Sequence, residues 1–297
     1  MQNEQPKIDF FRIRGTGEKI TATIDFLREN RRWWLCWCVL PLLPLCAVLG
    51  WLHVSNTPNF SVYYYEEWDI DFADFLIGLS FKNHEILSPY AIVTGLALLM
   101  LFTSTGALMS LYQYREGRLR GLAWPEYRSA LKRALPGAAV ITVVAYFFFF
   151  LFCSASFQLQ LVLIVVMIPL ALYAPTCQVG YFPPLRAAGH SLDLGLNTWG
   201  GMLMVSAGLW LVLVFFRGIP DALMYLLGSY LSGFFFSGHI SHEVIYIIYG
   251  VLVALNSFVT FACLSVMMIG AGYQYGHAEE KYSSVSLYED VRHFDEI

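Results

Sequence analysis

Long apolar runs separated by short polar segments make up most of the 297-residue chain. Six runs are long enough for a helix that crosses the hydrocarbon core of a bilayer, which needs roughly 20 residues. They extend from Trp33 to about Val54, Leu87 to Leu111, Leu135 to about Ser156, Leu159 to about Val179, Trp199 to Phe216, and about Val244 to Ala271. The pattern predicts an all-α, polytopic transmembrane helix bundle with about six spans and short amphipathic interfacial helices.

A further apolar run, Ala222–Phe236, is shorter than a typical span. Pro220 and Asp221 suit the first turn of a new helix, and Gly228 and Gly233 weaken a continuous crossing. We expect residues 222–236 to form an interfacial segment, and a seventh span is the alternative.

Three features inside the spans predict local structure. Pro41 and Pro44 should kink the first span, because proline removes a helical hydrogen bond. The small residues of 103–107 should let another helix approach closely. Asn256, in the last span, should form a hydrogen bond to a neighbouring helix.

Two polar segments repeat apolar residues at helical spacing and should lie along the cytoplasmic membrane surface. Thr16 can cap the first of these helices. The apolar stripes consist of Ile20, Ile24 and Leu27 in the first segment and of Leu185, Leu192 and Leu196 in the second.

The basic residues are divided unequally between the two sides of this arrangement. Of the 18 Lys and Arg residues, only Lys82 and Arg217 fall on one side. Because basic loops stay in the cytoplasm, both termini should be cytoplasmic. The predicted organisation is a cytoplasmic lead with an amphipathic helix over 1–32, a six-span membrane domain over 33–272, and a cytoplasmic polar tail over 273–297.

Composition supports a membrane protein. Hydrophobic residues make up 57% of the chain and charged residues 13%, compared with about 45–50% and about 25% in soluble domains. The net charge of −4 comes with no basic patch, so nucleic acid is not an expected partner. The expected partners are the lipid bilayer and proteins at the cytoplasmic face. No charged residue lies in the core of the six runs, which disfavours an ion-coupled pump.

Titratable groups cluster in two predicted outer loops. Carboxylates and imidazoles can together bind a divalent ion, but the order His-x-x-His-Glu differs from the His-Glu-x-x-His of zinc peptidases. An acidic loop at the lipid headgroups explains the same residues without an ion. The weak candidates for a metal site are Glu66, Asp69, Asp71, His239, His242 and Glu243.

No catalytic motif is found. The sequence contains no phosphate-binding loop, no Gly-x-Ser-x-Gly and no Cys-x-x-Cys. We therefore expect no catalytic residue, no cofactor and no enzymatic activity. The leading hypothesis is a non-enzymatic scaffold or accessory subunit. The alternatives are a carrier or channel for an apolar or zwitterionic solute and, third, an outer-face metal-assisted hydrolase.

The stretch from Pro169 to Val205 combines a proline-broken span, a cytoplasmic helix of form Ala-x-x-x-Ser-x-x-Leu and a span that opens on Trp199. The helix motif consists of Ala187, Ser191 and Leu194. In this arrangement the chain resembles the uncharacterised six-span bacterial proteins, of the Bacteroidota type, that are similar to the membrane domain of glycerophosphodiester phosphodiesterases. The resemblance implies a bacterial inner-membrane location and carries no catalytic signature.

Overall fold

A computed structural model describes residues 8–55, 87–117, 168–236 and 242–285, together with scattered residues between 124 and 159. Every element in these ranges is helical, which confirms the all-α class. The helices are α1 (Thr16–Glu29), α2 (Arg31–Trp34), α3 (Leu42–Ser55), α4 (Leu87–Arg115), α5 (Tyr173–Gln178), α6 (Pro184–Asn197), α7 (Trp199–Phe236) and α8 (His242–Ser283).

The chain forms two compact units. Unit 1 consists of Met1–Cys38, Leu101–Leu211 and Leu264–Ile297. Unit 2 consists of Val39–Met100 and Val212–Cys263.

Four segments of the described chain are long and apolar enough to cross a membrane: Arg31–Leu52, Gly95–Arg115, Trp199–Leu223 and Ile247–Ser283. By this criterion the chain is a membrane protein. The third and fourth predicted runs lie mostly outside the described residues. The count of six spans therefore stays a prediction.

The first span is interrupted as its prolines predict. After α2 the chain forms a π-helical turn over Leu35–Val39, and α3 begins only after Pro41. Proline has no N–H, and its ring crowds the carbonyl four residues earlier, so the helix widens and breaks in front of Pro41. Pro44 is tolerated because it lies in the first turn of α3.

The small residues of α4 form a buried face, as predicted. Thr103, Ser104, Thr105 and Ala107 are all fully buried. A Cβ added to Gly106 would lie 3.5 Å from the sulfur of Cys38, so two backbones approach closely here. This face packs α4 against the first span within unit 1.

The prediction that a new helix begins at Pro220 and Asp221 is wrong, whereas the interfacial position of residues 222–236 stays a prediction. These residues continue α7, a single 38-residue helix that contains Pro220. Membrane helices tolerate proline where neighbouring groups satisfy the freed carbonyl, and apolar residues on both sides favour continuing the helix. Arg217 and Asp221 therefore lie in the apolar segment Trp199–Leu223 of α7, just after the predicted end of the fifth run at Phe216.

Helix α8 also extends further than predicted. It passes Gly272, the expected end of the membrane domain, and continues to Ser283. Tyr273, Tyr275 and Ala278 are buried in the core of unit 1. The start of the predicted polar tail is thus a packed helix.

Both predicted surface helices form, and each leaves apolar side chains of its predicted stripe exposed, although Leu27 of α1 packs against the core of unit 1. Helix α1 buries Lys19, Ala22, Thr23 and Phe26, whereas Ile24 is 56% exposed. Its N-cap is Gly15 and not Thr16, and the Gly15 N–H donates to Glu18 Oε2 at 2.9 Å. The packed face of α1 is therefore distinct from most of the predicted apolar stripe, whose orientation toward the membrane surface stays a prediction.

Helix α6 shows the same division. Its buried residues are Ala187, Ser191, Leu194 and Gly195, and the exposed residues include Leu185, Leu192 and Leu196. A helix at an interface has two partners, protein and membrane, and small residues suit the close protein contact while large apolar residues suit the lipid.

Candidate functional site

The candidate metal residues are not brought together by the described structure. Glu66, Asp69, Asp71 and His239 lie outside the described residues, and His242 and Glu243 are described only as the backbone that begins α8. In the described part of the chain, no group of three or more His, Cys, Asp or Glu side chains could hold a metal ion. The outer-face metal site stays a prediction.

A different polar site lies in unit 1, where α1, α7 and α8 meet. We call it the Lys19 site, and it consists of Lys19, Gly201, Gln274 and His277. Lys19 is only 2% exposed, and a Cβ added to Gly201 would lie 3.3 Å from its Nζ and 3.4 Å from Gln274 Nε2. The missing side chain of Gly201 therefore leaves the space in which the ammonium and the amide converge.

The ammonium of Lys19 has no acidic partner among the described residues. Burial lowers the pKa of Lys19, and repulsion from Lys281 and Arg14 acts in the same direction, so that the pKa falls to about 8. A buried charge is costly unless an opposite charge or hydrogen bonds compensate it. Within the described part of the chain, the Lys19 site is therefore a positive site without a counter-ion.

The first turn of α7 adds to this positive potential. The N–H of Met202 donates to Thr198 O at 3.0 Å, which is the first hydrogen bond of the helix. The N–H groups of Gly200 and Gly201 precede that bond, so they belong to the positive end of the helix dipole. The Thr198 hydroxyl donates to Leu194 O at 2.7 Å. A lysine beside a helix N-terminus is electrostatically unfavourable unless an anion lies between them.

Gln274 supplies an amide that the protein itself does not use. Its side chain is fully buried, and neither amide atom has a hydrogen-bond partner within the described residues. Each unsatisfied buried group costs about 1–3 kcal/mol. An acceptor placed in this site would relieve that cost at the Gln274 Nε2 donor.

His277 lies one turn after Gln274, and its ring is oriented by the chain before α1. The backbone N–H of Arg14 donates to His277 Nδ1 at 3.0 Å, so a neutral ring carries its proton on Nε2. The Arg14 guanidinium donates to the carbonyls of Phe10 and Asp9 and lies 5.4 Å from the centre of the Tyr273 ring. Arg14 therefore holds the segment before α1 in place and adds positive charge.

The Lys19 site offers donors and positive charge, which suit binding of a carboxylate or phosphate. Sequence reasoning missed it because a helical repeat assigns every lysine to the solvent face. The one signal in the sequence is the pair Gly200–Gly201 at the start of an apolar run.

A second polar cluster lies in unit 2. Asn256 is fully buried, and its Nδ2 donates to Asp221 Oδ1 at 2.6 Å, which confirms the predicted hydrogen bond between helices. The other carboxylate oxygen of Asp221 lies 3.3 Å from Arg217 Nε. The opposite charges compensate each other here, so this cluster joins α7 to α8 and is not an open binding site.

Comparisons with protein-family models, curated proteins and solved structures find no match.

Proposed function

We propose that this chain is a non-enzymatic accessory component of the bacterial inner membrane that binds an anionic group, carboxylate or phosphate, at the Lys19 site. The observation that carries the proposal is a fully buried lysine that has no carboxylate partner among the described residues and lies at the first turn of α7. Burial, the helix dipole and nearby basic groups all disfavour the ammonium, and one bound anion compensates all three.

Ligand-dependent stability of the intact protein tests this proposal. The anions are inorganic phosphate, added to nanodiscs of neutral lipid, and phosphatidylglycerol, incorporated into nanodiscs without free phosphate. A ligand at 100 times its Kd stabilises the folded state by about 2.7 kcal/mol. We expect one of the two sources to raise the unfolding midpoint, and the arm that responds distinguishes a soluble anion from a lipid headgroup.

The matched variants are Lys19→Met and Lys132→Met, which remove one charge from a buried and an exposed lysine respectively. Lys132→Met should respond to the anion like the wild type. Lys19→Met should lose the response and, without anion, should be at least as stable as the wild type, because the uncompensated charge is gone. Equal anion responses in the two variants would refute the proposal.

A carrier for a solute with a carboxylate is the second candidate. The burial of Lys19 on the packed face of α1 favours a carrier, because a carrier closes over its cargo. Exchange of labelled phosphate or acetate across proteoliposomes separates the two candidates. A carrier requires exchange that Lys19→Met abolishes, whereas an accessory component binds the anion without exchange.

A further inference from the structure

Unit 1 contains a cavity of about 290 Å³ beside helix α5, away from the Lys19 site. This volume is close to the lower end of the range of small-molecule sites, which is roughly 300–1,000 Å³. The residues that line it include Met109, Cys177, Gln178, Tyr181, Phe182 and Pro183.

Gln178 lines the cavity, and its side-chain amide is unsatisfied within the described residues. The side chain is only 4% exposed, and neither its amide nitrogen nor its amide oxygen has a partner within the described residues. The last torsion of a glutamine side chain is broad, so the amide can turn toward a ligand at small cost. A ligand in the cavity that both donates and accepts would satisfy both atoms.

The backbone of Tyr181 provides an independent indication that the cavity is a binding site. Its φ is +58°, a left-handed conformation that is unfavourable for a bulky residue. The ring centre lies 4.7 Å from that of Tyr112, so the strained residue is held at the cavity by packing. Backbone strain of this kind is concentrated at binding sites, where it fixes the shape of the site in advance.

We infer that this cavity binds a small neutral amphiphile whose head group both donates and accepts hydrogen bonds, as a primary carboxamide does. The described lining residues carry no charge, so an ionic head would be left uncompensated. The apolar and aromatic side chains accommodate the body of the ligand, and Gln178 pairs with its head. This inference does not depend on the anion proposed for the Lys19 site.

The thiol of Cys177 gives a direct readout of occupancy. Cys177 is a free, partly buried cysteine of the cavity, whereas Cys36 is free, exposed and does not line it. The full-length protein in nanodiscs is alkylated with N-ethylmaleimide, and the rate at each cysteine is followed by peptide mass spectrometry. Octanamide should slow alkylation of Cys177 about tenfold and leave the rate at Cys36 unchanged.

Two comparisons separate amide pairing from simple partitioning. Gln178→Leu should raise the half-protecting octanamide concentration about tenfold, which corresponds to about 1.4 kcal/mol. Gln113→Leu, the same change at a buried glutamine that does not line the cavity, should leave it unchanged. In the wild type, N,N-dimethyloctanamide cannot donate a hydrogen bond. Its half-protecting concentration should therefore be about tenfold higher than that of octanamide.

The inference is overturned if octanamide neither protects Cys177 nor raises the unfolding midpoint of the wild type. It is also overturned if Cys36 is protected equally, or if the two octanamides act at equal concentrations. The last comparison uses only the wild-type protein, so the test holds even if Gln178→Leu does not fold.

Discussion

At the scale of single residues, Lys19 is buried in a position that helical periodicity assigns to water. Apolar residues recur on another side of α1, where Ile20 and Ile24 are predicted to face the membrane surface. The face of the helix that packs against the protein has Ala22, Thr23 and Phe26. A lysine can be accepted there only because Gly201 leaves space for its ammonium.

The first prediction concerns the pH dependence of stability. The pKa of Lys19 is lowered to about 8 in the folded protein from an ordinary value of 10.5. Between these values the unfolded chain binds more protons than the folded one, so stability should rise with pH. The cost of the buried charge is complete below pH 8 and disappears as the pH rises to 10.5.

Chemical denaturation of the wild type and of Lys19→Met, in the absence of anions, gives the unfolding free energy of each. The two proteins share all other titrating groups, so the difference between the two free energies isolates the contribution of Lys19. The difference in unfolding free energy should narrow between pH 8 and 10.5. If the difference in unfolding free energy stays constant over this range, the charge of Lys19 is compensated in the folded protein.

Asn256 shows what can be predicted at this scale and why. An amide in an apolar run must find a partner, so the hydrogen bond to a neighbouring helix followed from the sequence. The identity of the acceptor, Asp221, could not be predicted, because Pro220 suggested the start of a new helix. Lys19 could not be assigned to a site either, since its neighbours Gly201 and Gln274 come from distant parts of the chain.

At the scale of elements, close approach of backbones determines which glycines matter. Gly189 and Gly195 lie on the same helix, α6. A Cβ at Gly195 would lie 2.5 Å from the Cα of Pro169, whereas a Cβ at Gly189 would meet nothing within 4 Å. The two positions therefore form a matched pair.

The second prediction is that alanine has opposite effects at these two positions. Gly195→Ala should destabilise the protein by about 1–3 kcal/mol, because backbone atoms must move to admit the methyl group. Gly189→Ala should stabilise it by about 0.5–1 kcal/mol, because alanine is the better helix former. Unfolding midpoints in the same detergent measure both, and a loss of equal size at both positions would contradict the packing of α6.

The helices themselves were more predictable than their faces and ends. Long apolar runs, Pro41 and the small residues of 103–107 indicated the helices, the break and the packing face. Helix ends were missed in α7 and α8, since local polar residues such as Asp221 resemble a boundary while the helix continues. The faces of α1 and α6 that pack against protein could not be predicted, because periodicity does not say whether a stripe meets protein or lipid.

At the scale of the whole molecule, composition predicts a helical membrane protein, and the described helices confirm it. The number of spans is not fixed by the same argument, because it depends on where each apolar run begins and ends. Orientation rests on the distribution of charge. Arg217, one of the two basic residues counted outside the cytoplasm, pairs with Asp221 inside α7.

The third prediction is that both termini face the cytoplasm. Single cysteines added at residue 2 and after residue 297 should be inaccessible to a membrane-impermeant maleimide in intact cells and should react after permeabilisation. A cysteine at Lys82, in a predicted outer loop, is the control and should react in intact cells. Labelling of either terminus in intact cells would contradict the charge asymmetry.

The length and burial of helix α8 determine how the Lys19 site responds to bilayer thickness. With 42 residues it is about 63 Å long, roughly twice the hydrocarbon thickness of a bilayer. Its turns over Ile269–Gly276 are buried on every side, so protein and not acyl chains surrounds them. Hydrophobic mismatch acts only on surfaces that meet lipid, and it therefore bears on the earlier part of α8. The turn that carries Gln274 is therefore surrounded by protein, and we expect the Lys19 site to keep its geometry in thin and thick membranes alike.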